Sequence, residues 1–137
     1  MHTTTSPASS RQREEWPSDI TVVAWPDPVV DHAVGAIPTA SDEALLWWAS
    51  TLGPSALLIA RHLAIYAAEG PSTWPLDQLG RTFGISVAVV QHTLDRLVRF
   101  GVASRRDHEV AVRLMLPPLT RRQFERLPRY LAVAYGQ

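Results

Sequence analysis

Apolar residues recur at helical spacing through the middle of the chain and change to alternation towards its end, so the pattern predicts helices followed by strands. Residues 79–102 read LGRTFGISVAVVQHTLDRLVRFGV. Leu76, Leu79 and Phe83 make the inner face of one short helix, with Pro75 suited to its first turn. Gly84 follows where a chain reversing between two helices needs a left-handed residue. Ser86 is placed to N-cap a second helix, and Ile85 to staple forward onto Val90. Val90, Leu94, Leu97 and Val98 continue the helical spacing until Gly101 ends it. The segment 76–101 is therefore expected to be a helix-turn-helix.

The flanking pattern agrees. A helix is expected to begin near Ser41, with Asp42 and Glu43 at the positive end of its dipole. Leu45, Trp48, Ala49 and Leu52 share one face, widened by Leu46 and Trp47. Gly53 breaks the run and Pro54 opens the next helix, which reaches to about Glu69 before Gly70. That helix carries Ala56, Ile59, Ala60, Leu63 and Ala67 on one face and Leu58 and Ile65 on another, which predicts that it is sandwiched. Thr73 and Trp74 form a short extended piece. After Gly101 the period becomes two, with Val102 and Ser104, then Val110, Val112 and Leu114, alternating with their neighbours around a turn at Arg106, Asp107 and His108. Two short strands directly after such a helix pair, over 102–115, make a wing. Thr120 and Gln123 propose a capping box with Leu119 stapled to Phe124, and Pro128 is expected to kink or split a last helix over 120–135. The expected fold is mainly α with a small β hairpin, an α+β winged helix-turn-helix with two N-terminal helices and a C-terminal helix.

Ahead of this 41–137 domain, residues 1–18 are small, polar and charged, without the apolar pattern that offsets ordering entropy, and are expected to be a disordered tail. Residues 19–40 hold β-branched clusters at 20–23 and 29–30 around Trp25, Pro26, Asp27 and Pro28. Prolines remove ladder donors, so this stretch is expected to be an extended arm lying on the domain or on a second subunit, and not an interior strand.

Composition narrows the functional classes. With 46% hydrophobic and 19% charged residues the chain suits one domain and a tail. It has no cysteine, which excludes disulfides, thiolate metal sites and cysteine nucleophiles. Arg61 and His62 interrupt the longest apolar patch, so neither a signal peptide nor a membrane span is expected, and the protein reads as cytoplasmic, or nucleoid-associated if it binds DNA. The formal net charge is zero, but residues 1–71 carry three arginines against eight acids and residues 72–137 carry ten against five. The basic half contains the helix-turn-helix. The five histidines, His2, His32, His62, His92 and His108, are dispersed without metal-ligand spacing, and no acidic pair or phosphate-binding glycine loop accompanies them. No catalytic residue, metal site or cofactor is expected, and the chain is not read as an enzyme.

Residues 79–103 resemble the winged helix-turn-helix DNA-binding domains of bacterial regulators in their apolar anchors, the Gly84, Ile85, Ser86 turn and the exit through Leu94, Leu97 and Gly101. The run from Trp25, Pro26, Asp27 and Pro28 through Leu52, Gly53 and Pro54 to Leu116, Pro117, Pro118 and Leu119 is similar to a group of uncharacterised actinobacterial winged-helix proteins. The first resemblance implies that the second helix enters the major groove of duplex DNA while the wing and flanking arginines hold phosphates. On that basis Ser86, Val87, Ala88, Gln91, His92 and Asp95 face the bases, Gln91 as a bidentate reader of adenine and Val87 or Ala88 against a thymine methyl. Arg81, Arg96, Arg99, Arg105 and Arg106 are the phosphate candidates. Trp25, Trp47, Trp48, Tyr130 and Tyr135 are candidates for dimer or partner contacts.

The expected function is a DNA-binding regulator of transcription or of a mobile element, acting as a homodimer that engages two half-sites. Residues 87–90 are Val-Ala-Val-Val, where DNA readers more often carry polar side chains, and an exposed apolar start to this helix suits a protein partner. The alternative is therefore an interaction module without sequence-specific DNA contact. A single-strand reading would rest on Trp25 and Trp74 as stacking platforms.

Overall fold

The computed structural model describes residues 15–135, so the expected disorder of residues 1–14 lies outside the described residues. The chain mixes helices with a small sheet. Strand β1 (Asp19–Trp25) leads to a one-turn helix α1 (Pro28–Asp31) and a short strand β2 (Ile37–Pro38). Helix α2 (Asp42–Trp47) starts where the acids indicated, with Ser41 capping it by accepting from the amide of Ala44 at 3.1 Å. The chain passes through Trp48 into α3 (Ala49–Leu52), so the single helix expected here is two short pieces. Gly53 then adopts φ 85°, and Pro54 opens the long helix α4 (Pro54–Ala67).

Helix α4 buries one broad stripe, Ala56, Leu57, Ile59, Ala60, Leu63, Ala64 and Ala67, and through it meets α3, β1 and the helices that follow. The alanines keep the stripe low, so neighbours approach on both sides of it without a second buried face. Leu58 and Ile65 remain 42% and 43% exposed, which corrects the expected two-faced burial.

Strand β3 (Ser72–Pro75) precedes α5 (Leu76–Phe83) and α6 (Val87–Arg99), and the hairpin β4 (Ala103–Arg106) and β5 (Glu109–Arg113) follows. Asp107, at φ 63°, makes the left-handed turn between those strands. The sheet has the order β3-β1-β5-β4, with β1 antiparallel to β3 and parallel to β5. The β4–β5 hairpin is thus one side of a four-stranded sheet, and residues 19–25 supply an interior strand, contrary to the expected arm. The reason is positional. Pro17 and Pro26 bracket β1, so no ladder position within it lacks a donor, and the one proline in a neighbouring strand, Pro75, sits at the end of the edge strand β3. Ile20 and Val22 point inward and are fully buried. The sheet and core thus include residues ahead of 41.

A second, two-stranded sheet pairs β2 with β6 (Met115–Leu116), tying the segment after β1 to the exit from the hairpin. Thr120 and Gln123 form the expected capping box on α7 (Arg121–Glu125). Pro128 splits the last helix, its carbonyl accepting from Leu131 and Ala132 at the start of α8 (Arg129–Tyr135). Among the described residues no helix is long and apolar enough to cross a membrane.

Candidate nucleic-acid interface

The helix pair α5–α6 is locked at its corner. Gly84 adopts φ 69°, and the amide of Ile85 donates to the carbonyl of Gly80 at 2.9 Å. The backbones approach so closely there that a Cβ on Gly80 would lie 2.5 Å from the carbonyl oxygen of Ile85. Ser86 caps α6 by accepting from the amide of Val89 at 3.2 Å. The inward face of α6 is Val90, Thr93, Leu94 and Leu97, all buried. The packing therefore fixes which residues face out.

The outward stripe is Ala88, His92, Asp95 and Arg99, all exposed, at helical spacing. Val87 and Val89, 38% and 41% exposed, flank its start. Gln91 is half-buried beside Val87, and both line a groove of about 420 Å³ that Asp19 and Asp77 also border. The six residues assigned to base reading thus lie on one end and one side of α6, Ser86 already using its oxygen as the cap.

The phosphate candidates divide. Arg81 and Arg99 are exposed on α5 and α6, and Arg106 is exposed at the hairpin tip. Arg96 is a correction. Its guanidinium donates to the carbonyls of Leu52 at 2.6 Å and Thr51 at 2.9 Å and lies 5.0 Å from the Phe100 ring. It satisfies carbonyls at the C-terminal end of α3, where the helix leaves acceptors without amides, so it is not placed to hold a phosphate.

Arg105 is engaged within the chain. It donates to the carbonyls of Asp107 at 2.8 Å and Glu15 at 2.7 Å, and its guanidinium carbon sits 3.8 Å from the centre of the Trp16 ring. The Trp16 indole in turn donates to the carboxylate of Asp95 at 2.9 Å. Residues 15–18 thus run across the side of α6 next to the hairpin, which corrects their assignment to the tail. The missed signal was an indole within a polar stretch, since tryptophan combines large apolar area with a donor that needs a partner.

Of the aromatic partner candidates, Trp48 is 3% exposed in the core, because the turn between α2 and α3 directs it inward. Trp47 packs edge-on against Tyr135, centroids 5.2 Å apart, and the Tyr135 hydroxyl accepts from the amide of Leu119 at 2.8 Å. Both tie α8 to the domain. Trp25 lies under the Arg113 guanidinium at 3.8 Å, and Trp74 donates to the Ser72 hydroxyl within a ring cluster, so neither is an open stacking platform. Tyr130, 72% exposed, is the one of these five candidates that faces solvent outright.

That ring cluster surrounds His62, with Tyr66, Trp74 and Phe83 centroids 5.1, 5.1 and 5.3 Å away. Its Nε2 is buried without a partner, and burial holds the imidazole below its ordinary pKa. Among the described residues no group of three or more histidines and acids stands together as a metal site. Compared with family models, curated proteins and solved structures, the chain matches none significantly.

Proposed function

We propose that this chain is a winged-helix protein that binds duplex DNA, with α6 in the major groove and the β4–β5 hairpin along the adjoining phosphates, serving as a regulator of transcription or of a mobile element. The observation that carries the reading is the outward stripe of α6: Ala88, His92, Asp95 and Arg99 project from a helix whose opposite face is buried, beside a hairpin that presents Arg106. A helix held from behind and open in front is what groove insertion requires, and an exposed arginine on each flank can meet a phosphate strand. A homodimer fits this role because two half-sites engaged together multiply affinity.

The exposure of Val87 and Val89, with Asp19 and Asp77 bordering the same end of α6, favours one second reading. An apolar patch with two acids along one side suits a protein partner that brings basic residues to that side better than it suits phosphate.

A titration of pooled genomic duplex at several salt concentrations separates the two. The DNA reading predicts binding that weakens with a shallow slope, about −0.9 in log K per log salt for each phosphate neutralised. With a selected site in hand, Gln91→Ala is expected to cost about 1–3 kcal/mol at one base position, while Arg106→Ala weakens every sequence alike. A folded sample that binds no duplex in low salt leaves the protein-partner reading.

A further inference from the structure

Two features stand outside the proposed groove contact. The exposed Leu58 and Ile65 of α4 have nothing on the surface to say what covers them, and the arginines of α7 and α8 form a basic surface without a built site. Trp16 is different, because it is already docked on the face assigned to DNA.

We propose that Trp16 is an autoinhibitory latch that closes the side of α6 facing the hairpin. This rests on the DNA reading of that face and adds its regulation. The observations are independent of one another. The indole donor occupies a carboxylate oxygen of Asp95, at 2.9 Å. The ring covers the guanidinium of Arg105 at 3.8 Å. The carbonyl of Glu15 takes one of that guanidinium's N–H groups at 2.7 Å, which brings the backbone of the segment across the hairpin as well. One residue thus engages a candidate base-reading acceptor and a candidate phosphate donor together, and its neighbours Pro17 and Ser18 line the groove that Gln91 and Val87 also border.

A major-groove complex needs that volume. A duplex seated on Ala88 and His92 brings a phosphate strand towards the hairpin, where residues 15–16 now lie, so the segment must leave before Arg105 reaches phosphate. The contact is suited to leaving. The Trp16–Asp95 bond is solvent-exposed, and Trp16 itself is only half-buried where it packs against the core. Contacts of that kind are individually weak and screened by water, so the closed state is favoured by a modest factor that a polyanion can overcome. Where the competent form is a minority, apparent affinity falls by its fraction, and removing the latch restores it.

The test compares wild type, Trp16→Ala and Trp16→Phe on pooled genomic duplex across a salt series. Circular dichroism and thermal melting establish that each is folded. Trp16→Ala is expected to bind about tenfold tighter than wild type, as for a competent fraction of about one tenth. Trp16→Phe keeps a ring over Arg105 but loses the indole donor, and is expected to fall between them. The Trp16 indole resonance in a ¹H–¹⁵N spectrum, identified by its loss in Trp16→Phe, should move in Asp95→Asn and again when duplex is added to wild type. Wild-type binding that Trp16→Ala leaves unchanged or weakens overturns the latch and spares the DNA reading. No binding by any of the three overturns both; an indole resonance that Asp95→Asn still moves then shows that the docking itself is real and only its role is lost.

Discussion

Arg113 and His62 have opposite relations to water and charge. The Arg113 side chain is 12% exposed, and its guanidinium donates to the carbonyl of Gly101 at 2.7 Å and to Asp27 at 2.9 Å while lying on Trp25. It joins the exit from α6 to the end of β1, and its hydrogen bond holds the Asp27 carboxyl below the usual carboxylate range. Stability from that pair is present above the ordinary carboxylate pKa and is lost as pH falls through the lowered one. His62 has rings where Asp27 has a cation. Its depressed pKa means the unfolded chain takes up a proton before the folded one does, so stability is full above the ordinary value of 6.5 and declines as pH falls below it. The expected result is a thermal midpoint that drops between pH 7 and pH 5 in wild type and drops less in His62→Phe, which keeps an apolar ring in the cluster. Equal slopes in the two proteins would show that His62 takes up its proton as readily in the fold as in the unfolded chain.

Among the elements, the α5–α6 corner is the one whose tolerance is smallest. A methyl on Gly80 meets the backbone carbonyl of Ile85, which also belongs to the turn, so the contact is not relieved by a side-chain rotation. Gly80→Ala is expected to cost about 1–3 kcal/mol, the range for overpacking a filled site, read as a lower urea midpoint at unchanged slope. A change within error would mean that the two helices can part without loss. Gly84, Ser86, Thr120 and Pro128 were legible in the sequence because caps, left-handed turns and proline breaks act within a few residues. Gly80 was not, since its demand comes from a backbone that only the folded turn brings near. Strand β1 is hidden for a related reason: a proline excludes only its own ladder position and not the whole of 19–38, and the seven residues of β1 contain none.

At the scale of the molecule, β1 makes the sheet continuous from β3 to the hairpin, so the start of the described chain, the helix pair and the hairpin are parts of one body. The chain's early residues therefore reach the face that the sequence assigned to its middle. The outward stripe of α6 could be read from helical periodicity, which fixes the buried face and leaves the rest. The loss of Arg96 to α3 and the docking of Trp16 could not, because both join residues far apart in sequence. Charge is divided as well: Arg121, Arg122, Arg126 and Arg129 lie exposed on α7 and α8, a second basic surface apart from α6.

The most direct test of the account maps amide and side-chain NMR shifts while duplex is added at low salt. The largest changes are expected on Ala88, Gln91, His92, Arg99 and Arg106, with Trp16 moving as its contact with Asp95 opens. Changes confined to Arg121, Arg122, Arg126 and Arg129, with α6 silent, would contradict it.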